Sequence, residues 1–436
     1  MDNKQKGEFI RSVRDKKGYT MIELEDEQIS RSTISNIENG LINVTEDKAR
    51  YYCRKLGFEF DDIPRLAEEE RQKKEMIAID LMIIENKIDL VNPDEALDKL
   101  KALELNFKEN PELAIKAKYL KGRYNISKRN WKLAQKCLNK VITWTNRHET
   151  LERLNLKTAA YNELSRISYF NDNMKEALEY IRLGIESYKE NAEKKSLIHI
   201  LKMSKIIYLN NLDRPNEALE ELNQLWSEID RIKNSEVLLN MFALKAKLLQ
   251  EFKMHKEAVE VAKEGIELAR GCKIPNRSCE LWNALGSIYR TQGKIKEAEA
   301  CYLMALTLKD QVQQLKRGFV LFPIYKELGK LYIEQQQLQK AEEILSEAIK
   351  QKENVNPLQF NGILITLGDC YSEQKQWEKA IDPYKKALKT AQEFEITKQI
   401  HDITARLCRC WENLNNQRKF YDCLIDLYKV DIDNID

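Results

Sequence analysis

The sequence has little glycine or proline, 14 and 8 residues among 436. It also lacks any uninterrupted apolar run of about eighteen residues, so no membrane span is predicted. Few chain breakers and scarce alternation of apolar and polar residues argue against a β-sheet protein. The polar start, MDNKQKGEF, does not form a secretory signal. We therefore expect a soluble, cytoplasmic protein with no membrane partner.

Catalytic and metal-binding motifs are also missing. The four histidines are isolated from one another, and the sequence contains no HExxH, phosphate loop or GxSxG. The nine cysteines form no CxxC pair. Cys272 and Cys279 flank a predicted loop between helices, and we interpret them as ordinary thiols in preference to a redox or metal site. We expect no enzymatic activity, no metal and no cofactor.

The sequence is instead rich in helical periodicity. Almost every window carries apolar residues at i, i+3, i+4 and i+7, which predicts an all-α fold. The formal net charge is only +2, but six basic residues face two acidic ones between Lys4 and Lys17. Any contact with nucleic acid is therefore expected at the N-terminus, since a general basic coat is absent.

A repeated unit fills most of the chain. Its clearest copy is LWNALGSIYRTQGKIKEAEACYLMALTL, residues 281–308, which is similar to the tetratricopeptide repeat. A small residue lets the second helix of each unit approach the first. This residue recurs at intervals of 38–43 residues, at Ala96, Ala134, Ala177, Ala218, Ala258, Ala298, Ala341, Ala380 and, less clearly, Phe420. We predict a right-handed superhelical solenoid of about eight to nine helical hairpins over residues 94–436.

Residues 1–62 have the layout of a helix-turn-helix domain. Gly18 is expected to end the first helix, since glycine readily takes the left-handed cap conformation. A second helix is predicted from Thr20, with Ile22 and Leu24 facing the core. A third is predicted from Ser30 to Gly40, with Ile34 and Ile37 facing inward. Residues 63–93, bounded by Pro64 and Pro93, are predicted to form a connector helix.

The stretch SRSTISNIENG, preceded by RSVRDKKGYT, resembles the Xre/Cro-like helix-turn-helix family. The resemblance implies binding to double-stranded DNA through the third helix. It also implies a buried structural pair between Arg14 and Glu38. The phosphate-binding glutamine of the family is replaced here by Met21. The expected DNA-contacting residues are Arg31, Ser32, Thr33, Asn36 and Lys17. The alternative is a vestigial domain used only for protein contacts.

The order of the two modules resembles the RRNPP family (Rap, Rgg, NprR, PlcR and PrgX, with AimR as a relative). The resemblance implies an intracellular receptor in which the inner face of the solenoid binds a short linear signalling peptide. It further implies a homodimer on a palindromic operator, with the peptide allosterically changing operator binding. This predicts a quorum-sensing transcription regulator. The alternative is a protein-interaction scaffold of Rap type that binds a response regulator, with DNA binding secondary.

Polar residues at the inward positions of the first helix of each unit are the candidates for peptide binding. An asparagine amide both donates and accepts, so it suits the backbone of an extended peptide, and a basic side chain suits a carboxylate. The candidates are Asn162, Arg166, Asn240, Lys247, Asn283, Ser287, Arg290 and Lys330. For any single one, a solvated polar residue on the wall of the groove is the competing interpretation.

Overall fold

The computed structural model describes residues 1–41, 46–103, 110–171, 173–312, 317–351, 357–394 and 396–432. Helices are the regular elements of this part of the chain, and it contains no strand. The chain divides into two compact units, Met1–Leu201 and Lys202–Asp436. The boundary lies inside the helix Leu197–Asn211. In the described residues no helix combines the length and apolarity needed to cross a bilayer.

The first unit begins with the helix-turn-helix domain. Asp2 caps the first helix by accepting a hydrogen bond from the Gln5 N–H at 2.8 Å, while the Gln5 side chain accepts from the Asp2 N–H at 3.1 Å. This reciprocal capping box satisfies donors that the helix itself leaves free. The helices of the domain are α1 (Asn3–Lys16), α2 (Arg31–Glu38) and α3 (Glu46–Lys55).

The prediction of a second helix starting at Thr20 was wrong. The segment forms a turn, and Ile22, expected in the core, is 64% exposed, whereas Leu24 is buried as predicted. The Asp26 carboxylate accepts hydrogen bonds from the backbone N–H groups of Gln28 and Ile29, both at 2.9 Å. These local bonds offer the backbone an alternative to a helix just after the turn.

The two glycines expected to end helices do so. Gly18 follows α1 with φ of +76°, and Gly40 follows α2 with φ of +69°. Gly40 is further constrained by packing, because a Cβ there would lie 2.6 Å from the Lys4 Cα. The close approach of α1 to the end of α2 therefore requires glycine at this position.

The long helix α4 follows directly and shares its first residue with the helix-turn-helix core. Ile63 is fully buried in the cluster that contains Ile10, Ile34 and Tyr52. From there α4 extends over 28 residues and packs on α5 and α6. The later helices of this unit pair as α6 with α7 and α8 with α9. Their bounds are α4 (Ile63–Leu90), α5 (Pro93–Leu103), α6 (Pro111–Ser127), α7 (Trp131–Arg147), α8 (Leu156–Phe170), α9 (Met174–Ser187) and α10 (Leu197–Asn211).

The second unit continues the helical hairpins. Consecutive helices pair from α12 with α13 to α20 with α21. The bounds are α11 (Pro215–Trp226), α12 (Ser235–Glu251), α13 (His255–Gly271), α14 (Pro275–Thr291), α15 (Ile295–Thr307), α16 (Arg317–Glu334), α17 (Leu338–Lys350), α18 (Pro357–Glu373), α19 (Trp377–Glu393), α20 (Thr397–Asn413) and α21 (Gln417–Ile432).

The predicted crossing residues are confirmed as packing positions. All eight alanines of the series, from Ala96 to Ala380, are completely buried, and Phe420 is partly buried. On the facing helix a glycine often provides the matching gap. A Cβ on Gly286 would meet the ring of Tyr302 at 2.6 Å. The repeat register taken from the sequence is therefore the packing register of the hairpins.

Candidate functional site

A buried ion pair organises the helix-turn-helix domain, as the sequence predicts. Arg14 Nε lies 2.6 Å from Glu38 Oε1, and Arg14 Nη2 lies 3.0 Å from Glu38 Oε2. The two side chains are only 9% and 2% exposed. Tyr52 donates a further hydrogen bond to Glu38 Oε1 at 2.7 Å. Burial, together with this carboxylate, raises the pKa of Tyr52 well above its usual value.

The predicted recognition helix, α2, presents part of its predicted face to solvent. Ser30 caps it by accepting from the Thr33 N–H at 3.3 Å. Arg31 and Ser32 are exposed, whereas Thr33 and Asn36 are half-buried. The Ser30 hydroxyl lies 2.9 Å from the hydroxyls of both Ser32 and Thr33. The hydroxyls of Ser32 and Thr33 are therefore already within hydrogen-bond distance of the capping residue.

Lys17, the remaining predicted DNA contact, lies at the C-terminal cap of α1 and is exposed. Together with Arg31 it provides a cation at the surface of the domain. Neither side chain is in an ion pair within the described residues, so both are available to phosphate groups.

The acidic run before α2 has a structural role that the sequence did not indicate. The Glu25 carboxylate accepts a hydrogen bond from the Arg31 N–H at 2.9 Å and so occupies the N-terminus of α2. Asp26 lies 2.6 Å from Lys55 Nζ and accepts from the Tyr51 hydroxyl at 2.7 Å. The hydrogen bond from Lys55 has the largest effect on the pKa of Asp26, followed by the one from Tyr51. Together they hold this pKa well below its usual value. These acids therefore stabilise the turn that leads into α2.

In the first unit Arg166, one of the two predicted peptide residues, belongs to a chain of ionic contacts among the described residues, and Asn162 does not. Asn162 is 8% exposed, and its Oδ1 atom is buried and accepts no hydrogen bond from the residues that the structure describes. Arg166 is exposed and pairs with Glu163 at 2.9 Å. Glu163 also lies 3.7 Å from Arg123 of the neighbouring helix α6. A ligand carboxylate at Arg166 has to compete with Glu163 for the guanidinium group.

In the second unit three of the predicted residues take part in two sets of contacts, one a hydrogen bond and the other a network of ion pairs. Ser287 on α14 accepts a hydrogen bond from Gln250 on α12 at 3.0 Å. Arg290 on α14 and Lys330 on α16 meet at Glu327, at 3.0 and 3.5 Å. Arg290 also pairs with Glu334 at 2.6 Å. The two predicted cations thus belong to one network, and its acids are the residues that the sequence did not indicate.

The remaining predicted residues of this unit have separate surroundings. Lys247 is exposed and pairs only with Glu251 of its own helix, at 3.6 Å, among the described residues. Asn240 and Asn283 are half-buried. The Oδ1 atom of Asn283, like that of Asn162, is buried and has no hydrogen-bond donor within the described part of the chain. An amide oxygen in that state costs free energy until a donor reaches it.

The electrostatics of Glu327 show how tightly this network is held. Burial alone raises the pKa of its carboxyl group, but Lys326, Lys330 and Arg290 outweigh burial and bring the pKa below the usual value. The carboxylate is therefore charged at neutral pH. It neutralises cations that a ligand carboxylate would otherwise bind.

The cysteine pair 272 and 279 does not flank a loop as expected. Cys279 lies within α14, is completely buried, and donates to the Ala305 carbonyl at 3.3 Å. Burial raises the pKa of its thiol to about 12. Among the described residues no three His, Cys, Asp or Glu side chains are grouped so that they could hold a metal ion.

Comparisons with known proteins define the class of each module. The model of a helix-turn-helix family matches residues 10–63, and the model of the MalT-like TPR region matches residues 241–434. No curated protein matches the chain. The chain is therefore a helix-turn-helix protein with tetratricopeptide-type repeats.

Solved structures extend this likeness to the fold of most of the chain. The apo form of RapI is 13% identical, with a TM-score of 0.56, and the match covers 81% of this chain and 98% of RapI. The apo quorum sensor NprR from B. thuringiensis is 16% identical, with a TM-score of 0.55, covering 81% and 99%. A Rap protein in complex with competence and sporulation factor is 15% identical, with a TM-score of 0.52, covering 79% and 99%. The chain therefore shares the fold of these Rap and NprR structures over most of its length.

Proposed function

We propose that this protein is a transcription regulator that binds a palindromic DNA operator as a homodimer in the cytoplasm. Residues 1–62 bind DNA, residues 63–93 connect, and residues 94–436 form the sensor. In the sensor a short linear signalling peptide binds and changes operator affinity. The peptide contacts proposed are those derived from the repeat register: Asn162, Arg166, Asn240, Lys247, Asn283, Ser287, Arg290 and Lys330.

The observation that carries the DNA-binding proposal is the packing of α2. Arg14 and Tyr52 both hold Glu38 in the core, so the inward side of α2 is anchored by charged and hydrogen-bonded contacts. The opposite side begins with the exposed Arg31 and Ser32. A helix fixed on one side and polar on the other has the form needed to enter the major groove.

The peptide proposal is supported by two equivalent asparagines. Asn162 lies fifteen residues before Ala177, and Asn283 lies fifteen residues before Ala298, so both occupy one repeat position. In both, the buried Oδ1 atom receives no hydrogen bond from any described residue. The backbone N–H of an extended peptide supplies such a donor when the amide reorients towards it. The likeness in fold to the quorum sensor NprR supports a signalling role for these repeats.

The DNA-binding proposal is tested with Arg31→Ala combined with Asn36→Ala. The full-length protein is used to recover genomic fragments, and affinity for a recovered fragment is measured by fluorescence anisotropy. Each lost base contact is worth about 1–3 kcal/mol, or roughly 5–150-fold in affinity. Lys140→Ala removes one exposed cation outside the domain and is the matched control, with affinity unchanged. Equal binding by the double variant and the wild type contradicts the role given to α2.

A scaffold function is the second candidate, favoured by the likeness in fold to two Rap proteins and by Glu25 at the N-terminus of α2. A carboxylate there opposes the approach of a phosphate group. In that case the double variant keeps its biological activity, and a response regulator is retained on the full-length protein. Loss of activity together with loss of DNA binding rejects this candidate.

A further inference from the structure

A cavity of about 400 Å³ lies inside the first unit, between α4, α6 and the start of α8. Its floor is apolar and well packed: Leu81, Leu113, Tyr119, Leu120 and Leu156 are each at most 8% exposed. At its mouth Met82 of α4 is 64% exposed. Cavities of this size with apolar linings accept small ligands or single large side chains. A flexible thioether at the mouth adapts to different occupants.

The charged residues around the cavity neutralise one another. Lys116 lies 3.0 Å from Glu112 and 3.5 Å from Glu193. Glu85 lies 3.5 Å from Lys194 and also accepts from Arg123 at 2.7 Å. Among the described residues, every charged side chain that lines the cavity already has an ionic partner, so none requires a charged ligand. The lining therefore selects for an uncharged, apolar occupant.

Within the first unit, the cavity lies on the repeat face that carries Asn162. Tyr119 lies fifteen residues before Ala134, which is the repeat position of Asn162 and Asn283. Arg123, four residues later, reaches Glu163 of α8 at 3.7 Å. An extended ligand that bonds to Asn162 therefore lies next to the opening of the cavity.

We propose that this cavity binds a large apolar side chain, aromatic or leucine-like, of the signalling peptide. This inference rests on the proposed function, because it assigns one pocket of the same ligand. The occupant contacts Leu81 and Met82 of α4, the helix whose first residue, Ile63, lies in the helix-turn-helix core. Lys16 of α1 also holds α4 through Glu70 at 2.6 Å. Occupancy of the cavity therefore acts on the helix that carries the DNA-binding domain.

Binding is tested with N-acetyl-phenylalanine amide and N-acetyl-leucine amide as probes. The full chain is labelled with ¹³C at the methionine methyl groups, and Met82 is assigned with Met82→Leu. The expected result is a saturable shift of the Met82 resonance by both probes, with no shift from N-acetyl-glycine amide. Met254 and Met304, exposed in the second unit, stay unchanged. Absence of a shift at Met82, or equal shifts at all three methionines, overturns the proposal.

Blocking the cavity separates this proposal from the proposed function. Ala78 is exposed on α4 and lines the cavity, so Ala78→Trp fills the space without removing a buried group. The variant is expected to lose the Met82 shift and the response of DNA binding to a peptide extract of the host culture. If the extract changes DNA binding equally in wild type and variant, the proposed function stands and the cavity site is overturned. If the probes shift Met82 but the extract changes DNA binding in neither protein, the cavity binds apolar groups, but the proposed function and the assignment of the cavity to its peptide are overturned.

Discussion

Arg14 and Glu38 form a two-point ion pair in the core of the helix-turn-helix domain, at 2.6 and 3.0 Å. The pair joins α1 to the last residue of α2, so it sets the angle at which α2 leaves the core. The Tyr52 hydroxyl of α3 completes the arrangement on the Glu38 carboxylate. Three helices thus depend on one buried carboxylate. This makes the orientation of the proposed recognition helix sensitive to a single residue.

Glu38→Gln is expected to destabilise this domain by about 3–5 kcal/mol, because it leaves the Arg14 charge buried without its counter-ion. The effect is measured as faster hydrogen exchange in peptides from residues 1–41. Arg50→Ala is the control, since that arginine pairs with Glu46 and Asp61 at the surface, and a much smaller effect is expected. Arg14→Met with Glu38→Leu is expected to recover most of the loss. Equal effects of Glu38→Gln and Arg50→Ala would falsify the structural role of the pair.

The stability that Asp26 gives the turn before α2 is expected to depend on pH. The folded pKa is lowered, so the charged form is favoured in the folded state. The contribution is therefore present above the unfolded pKa of about 3.9 and is lost as the pH falls through the folded value. Asp26→Asn should be less stable than wild type at pH 7, and the difference should shrink below about pH 4 in urea unfolding. Glu27→Gln removes an exposed carboxylate beside Asp26 and is the control for the loss of charge alone.

The contrast between Arg14 and Asp26 shows what the sequence can predict in this domain. The Arg14–Glu38 pair was predictable because both residues stand in a motif that resembles a known family. The turn at Met21–Leu24 was not, since the partners of Asp26 are Tyr51 and Lys55, 25 and 29 residues away. Local periodicity carries no information about such distant contacts. It therefore predicted a helix, with Ile22 in the core, where tertiary bonds stabilise a turn.

Gly286→Ala is expected to destabilise the hairpin of α14 and α15 by about 1–3 kcal/mol, because the new Cβ overlaps the Tyr302 ring. Gly271→Ala is the matched control, since nothing lies within 4 Å of a Cβ at the end of α13. There a gain of about 0.4–1 kcal/mol is expected from the reduced entropy of the unfolded chain. Both are measured by hydrogen exchange of residues 255–307, which include α13 and its last residue, Gly271. Similar effects of the two substitutions contradict the packing described for the repeat.

The cysteines should divide into two reactivity classes. Burial raises the pKa of Cys279 to about 12 and that of Cys301 and Cys370 to about 11. At pH 8 a thiol with a pKa of 12 is about 10⁻⁴ ionised, and the thiolate is the reactive form. Iodoacetamide is therefore expected to modify the half-buried Cys137 and Cys272 first, as measured by mass spectrometry of peptides over time. Modification of Cys279 as fast as Cys272 contradicts its buried position.

The repeats show a similar limit on prediction. Ala298 and its equivalents were found from sequence because a helix crossing demands a small side chain at a fixed interval. The acids that hold Arg290 were not found, since Glu327 is 37 residues away on the next hairpin and has no motif of its own. The sequence also did not indicate which residue adopts the left-handed backbone conformation in the short turns between helices. It is glycine at Gly293 but lysine at Lys253 and glutamine at Gln336.

The coupling between a peptide and DNA binding is tested most directly by selecting genomic DNA fragments on the purified protein, with and without a small-peptide extract of the host culture. The proposed function predicts that a palindromic DNA sequence is recovered and that its yield changes with the extract. An allosteric coupling of about 1–3 kcal/mol corresponds to a change of roughly 5–150-fold in affinity. A palindrome indifferent to the extract removes the sensor from the account, and no enrichment in either condition contradicts the proposed regulator itself.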